Sequence, residues 1–168
     1  WEEATFGNKR YQADTGESLY RRSLYTFWRR IVGPTMFFDV APRQTCVVKP
    51  LRTNTPLQAL AIMNDTQYIE AARALAERAM KSSPDRDARM TFAFRRLLAR
   101  SPRADELSVL GSSHDRLLKD YQQQPVQAEA LLKLGASPRD TSLKPADHAA
   151  LTAVMLALFN LDETLTRE

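Results

Sequence analysis

Two helix starts lie close together in this chain, and they constrain its fold more than any other feature. Thr55 stands directly before Pro56. A threonine hydroxyl at an N-cap accepts an orphan backbone N–H, and a proline at the first helical position has no N–H to miss. Leu57, Leu60, Ile62 and Met63 then supply an apolar face. Asn64-Asp65 interrupts it, and Asp65 is a good cap for a second helix. Tyr68, Ala72, Leu75 and Ala79 recur at the spacing of one helical face, widened by Ile69, Ala76 and Met80. The pattern predicts a helix, a sharp corner and a longer helix, with Glu70, Arg73, Glu77 and Arg78 on the other faces.

The same grammar continues downstream. Ser83-Pro84-Asp85 marks a break, and Met90, Phe94, Leu97 and Leu98 define the next helix. Ser101-Pro102 repeats the cap-plus-proline signal, with Asp105-Glu106 in a first turn where the helix dipole favours acids. Leu107, Leu110, His114, Leu117 and Tyr121 line that helix. A short helix follows over 126–134, ending at Gly135, and then an Ala/Leu-rich helix over 145–159, the best candidate for the most buried element. Upstream, residues 18–31 carry Leu19, Leu24, Phe27, Trp28 and Ile31, which suits a helix capped by Ser18, although the aromatic and threonine content also suits a strand. Residues 32–51, broken by Pro34, Pro42 and Pro50, predict a long loop. Only five glycines are present, which argues against a sandwich or barrel. The expected fold is all-α: an irregular bundle of about five to seven helices with a long basic N-terminal loop.

Charge is placed unevenly. Residues 1–55 hold nine Lys/Arg against five Asp/Glu, so the whole excess of +4 lies there. A basic face of this kind suits docking onto another domain. No nucleic-acid-binding motif accompanies it, so nucleic acid is not an expected partner. The longest nearly apolar run, 149–159, is far shorter than the ~20 residues that span a bilayer.

Several chemistries lack their residues. One cysteine and two histidines, His114 and His148, set on different helices, do not make a zinc site. The Cys-x-x-Cys-His of covalent haem attachment is absent. No phosphate loop, Gly-x-Gly-x-x-Gly or Gly-x-Ser-x-Gly occurs. Neither a metal nor a cofactor is expected. What remains is a polar loop. Arg43 and Lys49 flank Cys46, and nearby positive charge favours a thiolate, although a small buried hydrophobe explains Cys46 as well. Arg52 and Asn54 lie directly before a helix N-terminus, where anions are favoured. Asp65 adds a carboxylate at the next corner. Arg43, Cys46, Arg52, Asn54 and Asp65 are therefore the candidate ligand-binding residues. Hydrogen bonds that tie the loop to the helical body are the competing role.

The run Arg-Gln-Thr-Cys at 43–46, followed by Arg-Thr-Asn-Thr-Pro-Leu-Gln-Ala-Leu at 52–60 and Asn64-Asp65, resembles one family. This is the planctomycete-type C-terminal domain of unknown function that accompanies planctomycete cytochrome-c-like domains. Residues 20–30 and Asn160-Leu161-Asp162-Glu163 fit as well, while Gln44 and Lys49 depart from the usual acid and arginine. The resemblance implies an exported protein whose partners are its own upstream domains, one cytochrome-c-like and one a second planctomycete domain. It implies no known activity. Trp1 stands where an initiator methionine would, which suits a piece of a longer chain. Residues 1–16 are expected to be an irregular lead-in and 17–168 a single helical domain. The expected function is a non-catalytic structural or interaction module of a larger exported, redox-associated protein. The alternative is part of an enzyme acting on carbohydrate or an acidic polymer, its site shared with an upstream domain.

Overall fold

The computed structural model describes residues 14–21 and 55–165. Among the described residues a 3-10 turn lies at Gly16–Tyr20, and there are seven α-helices: α1 (Pro56–Asn64), α2 (Thr66–Ser82), α3 (Arg86–Leu98), α4 (Ala104–Gln123), α5 (Pro125–Leu132), α6 (Pro145–Phe159) and α7 (Asp162–Leu165). The fold is all-α. The long basic loop expected over 32–51, and most of the element expected over 18–31, lie outside the described residues.

The helix starts follow the local chemistry. The Thr55 hydroxyl accepts the Gln58 N–H at 3.2 Å. Asp65 closes α1 by donating its own N–H to the Ala61 carbonyl at 2.8 Å, and opens α2 by accepting the N–H groups of Gln67 and Tyr68 at 2.9 and 3.3 Å. One residue therefore satisfies orphan groups of two helices. Losing such a cap costs about 1 kcal/mol. Asp65→Ala should therefore lower the melting temperature by roughly 2–4 °C. A thermal melt of the variant beside the parent checks this.

The start of α4 differs from expectation. It begins at Ala104 rather than beside Pro102, with Arg103 in extended backbone. The reason is Glu106, whose carboxylate accepts the Arg103 N–H at 2.7 Å and places the cap at Arg103, two residues later than the Ser101-Pro102 signal implies. The short fifth helix also ends earlier than its apolar pattern suggested, at Leu132.

Helix α6 is the axis of the bundle. It packs against α2, α4 and α5, and at its ends meets α1, α3 and α7. Beyond its first turn it is apolar on nearly every side, as a helix packed by neighbours on most of its faces is. Ala149, Ala150, Leu151, Val154, Met155 and Leu158 are all buried. The α2 face that meets it is built from Ala72, Ala76 and Ala79, whose small side chains let the two helices approach closely. Phe94 from α3 fills the remaining space, and Tyr68 closes one end with an edge-on contact to Phe159, ring centroids 6.3 Å apart. By contrast α1 buries only Ile62 and leaves Leu57, Leu60 and Met63 exposed. No helix among the described residues is long and apolar enough to cross a membrane.

Candidate functional site

Four of the five residues singled out in the sequence, Arg43, Cys46, Arg52 and Asn54, lie outside the described residues. Asp65 is placed, and both of the bonds its carboxylate accepts come from its own helix. Among the described residues no group of His, Cys, Asp and Glu is arranged to hold a metal ion.

The histidines illustrate what the bundle does with polar groups. His148 lies near a helix start, where exposure is usual, yet it is fully buried. It sits one turn into α6 on the side facing α2, and its Nε2 lies 3.3 Å from the Arg73 carbonyl. A carbonyl can only accept, so Nε2 carries the hydrogen. Burial pushes the pKa of His148 down, which keeps the ring neutral. His114 on α4 is also buried. Its Nε2 lies 3.2 Å from Asp147 Oδ1 on α6, and its Nδ1 lies 3.6 Å from Asp115 Oδ1. Arg89 donates to the other Asp147 oxygen at 3.1 Å and to the Ser83 carbonyl at 2.8 Å. His114 and Arg89 together hold the Asp147 carboxyl below its ordinary range against the opposing effect of burial. A carboxylate beside an imidazole is half of a familiar catalytic arrangement, which also needs a nucleophile on the second nitrogen. Here both nitrogens face carboxylates. The cluster ties α3, α4 and α6 together.

A second polar cluster has no local signature in the sequence. Glu70 and Arg73 lie one turn apart on α2 and point at the loop after α5. Glu70 accepts the N–H groups of Ala136 and Ser137 at 2.8 and 3.0 Å, and the Tyr20 hydroxyl at 2.7 Å. Arg73 donates to the Leu132 carbonyl at 2.9 Å, the Ser137 carbonyl at 2.6 Å and the Ser137 hydroxyl at 2.7 Å. The acid takes the loop's donors and the base takes its acceptors. Burial alone would raise the Glu70 carboxyl, but the Ser137 and Tyr20 hydroxyls and the two amides outweigh it and bring the pKa down to about 2.

The feature best shaped to receive a partner is an apolar groove of about 450 Å³ along α4 and α6. Val109, Leu110 and Leu117 form one wall, Ala153 and Ala157 the other, and Leu161 one end. The helices run antiparallel here, since His114 meets the first turn of α6 while the start of α4 lines the groove with Leu161. Val109 is 64% exposed and Leu161 39% exposed. One end is stiffened by Arg100, which donates to both Glu106 oxygens at 2.8 and 2.9 Å and to both Glu163 oxygens at 2.7 Å. The Arg100 guanidinium also stacks 4.8 Å above the Phe94 ring. Arg100, followed by the Arg103 amide, brings the Glu106 carboxyl down to about 2.

A family model described as PSD1, protein of unknown function (DUF1553), matches residues 2–114. The chain belongs to this family. The PSD1 match takes in α1 to α3 and ends inside α4, so the α6 wall of the groove lies beyond it. No curated protein and no solved structure matches the chain.

Proposed function

We propose that this PSD1 domain is a non-catalytic docking module of a larger exported, redox-associated multidomain protein. In that reading its partners are upstream domains of the same protein, one cytochrome-c-like and one a second planctomycete domain. The observation that carries the docking role is the groove between α4 and α6. An amphipathic helix lies naturally in a trough between two antiparallel helices, with its apolar anchors at i, i+3 or i+4, and i+7. The walls offer aliphatic side chains and small alanines, and the exposed rim carries Asp105 and Arg116, one charge of each sign. The polar clusters in the body of the domain tie its own helices and the loop after α5 to one another, which suits a rigid scaffold.

The occupant in this reading is a helix of the upstream region. Val109 and Ala157 are exposed, so a charge at either position is tolerated by the fold, within about 0.5 kcal/mol. Val109→Glu combined with Ala157→Glu is expected to leave the melting temperature nearly unchanged. The same pair should weaken capture of the separately produced upstream region about tenfold or more, as the loss of one buried apolar anchor implies. Unaltered capture by the double variant overturns the reading.

A further inference from the structure

We propose that an open depression at the corner between α2 and α3, which shares no lining residue with the groove, binds an anionic sugar of a polysaccharide. The outer stripe of α3 places Thr91, Phe92, Arg95 and Arg96 at helical spacing, opposite the buried stripe of Met90, Ala93 and Phe94. Ser82 and Ser83 at the end of α2 complete a depression of about 820 Å³ with no carboxylate in its lining. That absence is unusual for this helix. Arg86, earlier in α3, reaches Asp87 and Asp115, and Arg89 reaches Asp147. Arg95 and Arg96 face the depression, and Arg96 is held 5.4 Å above the Phe92 ring, so its fork is oriented before any ligand arrives.

The hydroxyls refine the choice of ligand. Ser82 Oγ donates its hydrogen to the Ala79 carbonyl and Thr91 Oγ1 donates to the Asp87 carbonyl. Their oxygens are left to accept. Ser83 Oγ accepts the Asp85 N–H, which leaves its hydrogen to donate. The depression therefore offers two guanidinium forks, one free hydroxyl donor and two acceptor oxygens. A bare sulfate uses only the donors and meets repulsion at the two oxygens. A sugar that carries a carboxylate or sulfate uses all of them: its anion takes the arginines and its hydroxyls donate to Ser82 and Thr91. The depression is open, so a single residue binds weakly, and a chain of such residues is the fitting ligand.

Calorimetric titration of the chain with oligogalacturonate, sulfated dextran, neutral dextran and polyglutamate tests this. Binding of at least one of the two anionic sugars is expected, and it tells whether a carboxylate or a sulfate is preferred. Arg95→Gln with Arg96→Gln should weaken that binding about tenfold or more, since charge-assisted hydrogen bonds are lost. The same loss of charge elsewhere on the surface, Lys119→Gln with Lys133→Gln, should change it less than about twofold, as distant exposed charges are screened. Thr91→Val should weaken the sugar while leaving any polyglutamate binding unaltered. Equal losses from the two double variants, polyglutamate binding as tight as the sugars, or no binding to either anionic sugar would each overturn the proposal.

Discussion

Arg73→Ala is expected to lower the melting temperature by roughly 6–20 °C, from about 3–5 kcal/mol for breaking a buried charged network and about 2–4 °C per kcal/mol. Arg73 is 3% exposed and ties α2 to the end of α5 and the loop beyond it. Its removal leaves the buried carbonyl of Leu132 and the part-buried carbonyl of Ser137 without the donors that now serve them. A buried acceptor that loses its partner bears the full cost of desolvation, about 1–3 kcal/mol. Arg73→Lys separates charge from geometry. A single ammonium keeps the charge but lacks the planar fork that reaches both carbonyls, so an intermediate loss is expected. Denaturant and thermal melts of both variants decide the matter. A loss under about 1 kcal/mol for Arg73→Ala would show that the loop after α5 holds its place without the guanidinium.

The contrast between what could and could not be read from the chain follows the reach of the interactions. Thr55 and Asp65 act on backbone groups two or three residues away, and Pro56 suits a first helical turn, so their roles were legible in the sequence. So was the burial of α6, which has no polar stripe to turn outward. Glu70 and Arg73 looked like the solvent side of an amphipathic helix, because nothing within a turn of them reveals the loop more than 60 residues later that needs both signs of charge. His148 misled for the same reason. It lies near a helix start, where exposure is usual, yet α2 covers that side. The groove was hidden because Ala153 and Ala157 carry the same signal as the alanines that do pack. Small residues mark close approach without saying whether the approaching helix belongs to the domain or to a partner.

Gly135→Ala is expected to destabilise the domain by about 3 kcal/mol through two routes that converge on Glu70. Gly135 has φ of +100°, a conformation that L side chains rarely adopt and that costs a non-glycine residue about 1–2 kcal/mol. The larger difficulty is space. A Cβ on Gly135 would overlap the Glu70 carboxylate, lying 2.6 Å from its Cδ and 2.7 Å from its Cβ. The carboxylate must then leave the Ala136 and Ser137 amides and the Tyr20 hydroxyl, and hydrogen bonds to a charged group are worth about 1.5–3 kcal/mol. The pH dependence distinguishes this from simple backbone strain. Glu70 falls from an ordinary 4.5 to about 2 in the folded protein. A carboxyl depressed in this way contributes stability that is complete above pH 4.5 and is lost as pH falls towards 2. Glu106 behaves alike in the same window, so the informative quantity is the difference between parent and variant. Urea midpoints measured across that window should rise with pH less steeply for Gly135→Ala than for the parent. Glu70→Gln, which lacks the titrating group and keeps the glycine, should show the same shallower slope. If Gly135→Ala is destabilised but keeps the parent's slope, the cost is backbone strain alone and the carboxylate has found another way to reach its amides.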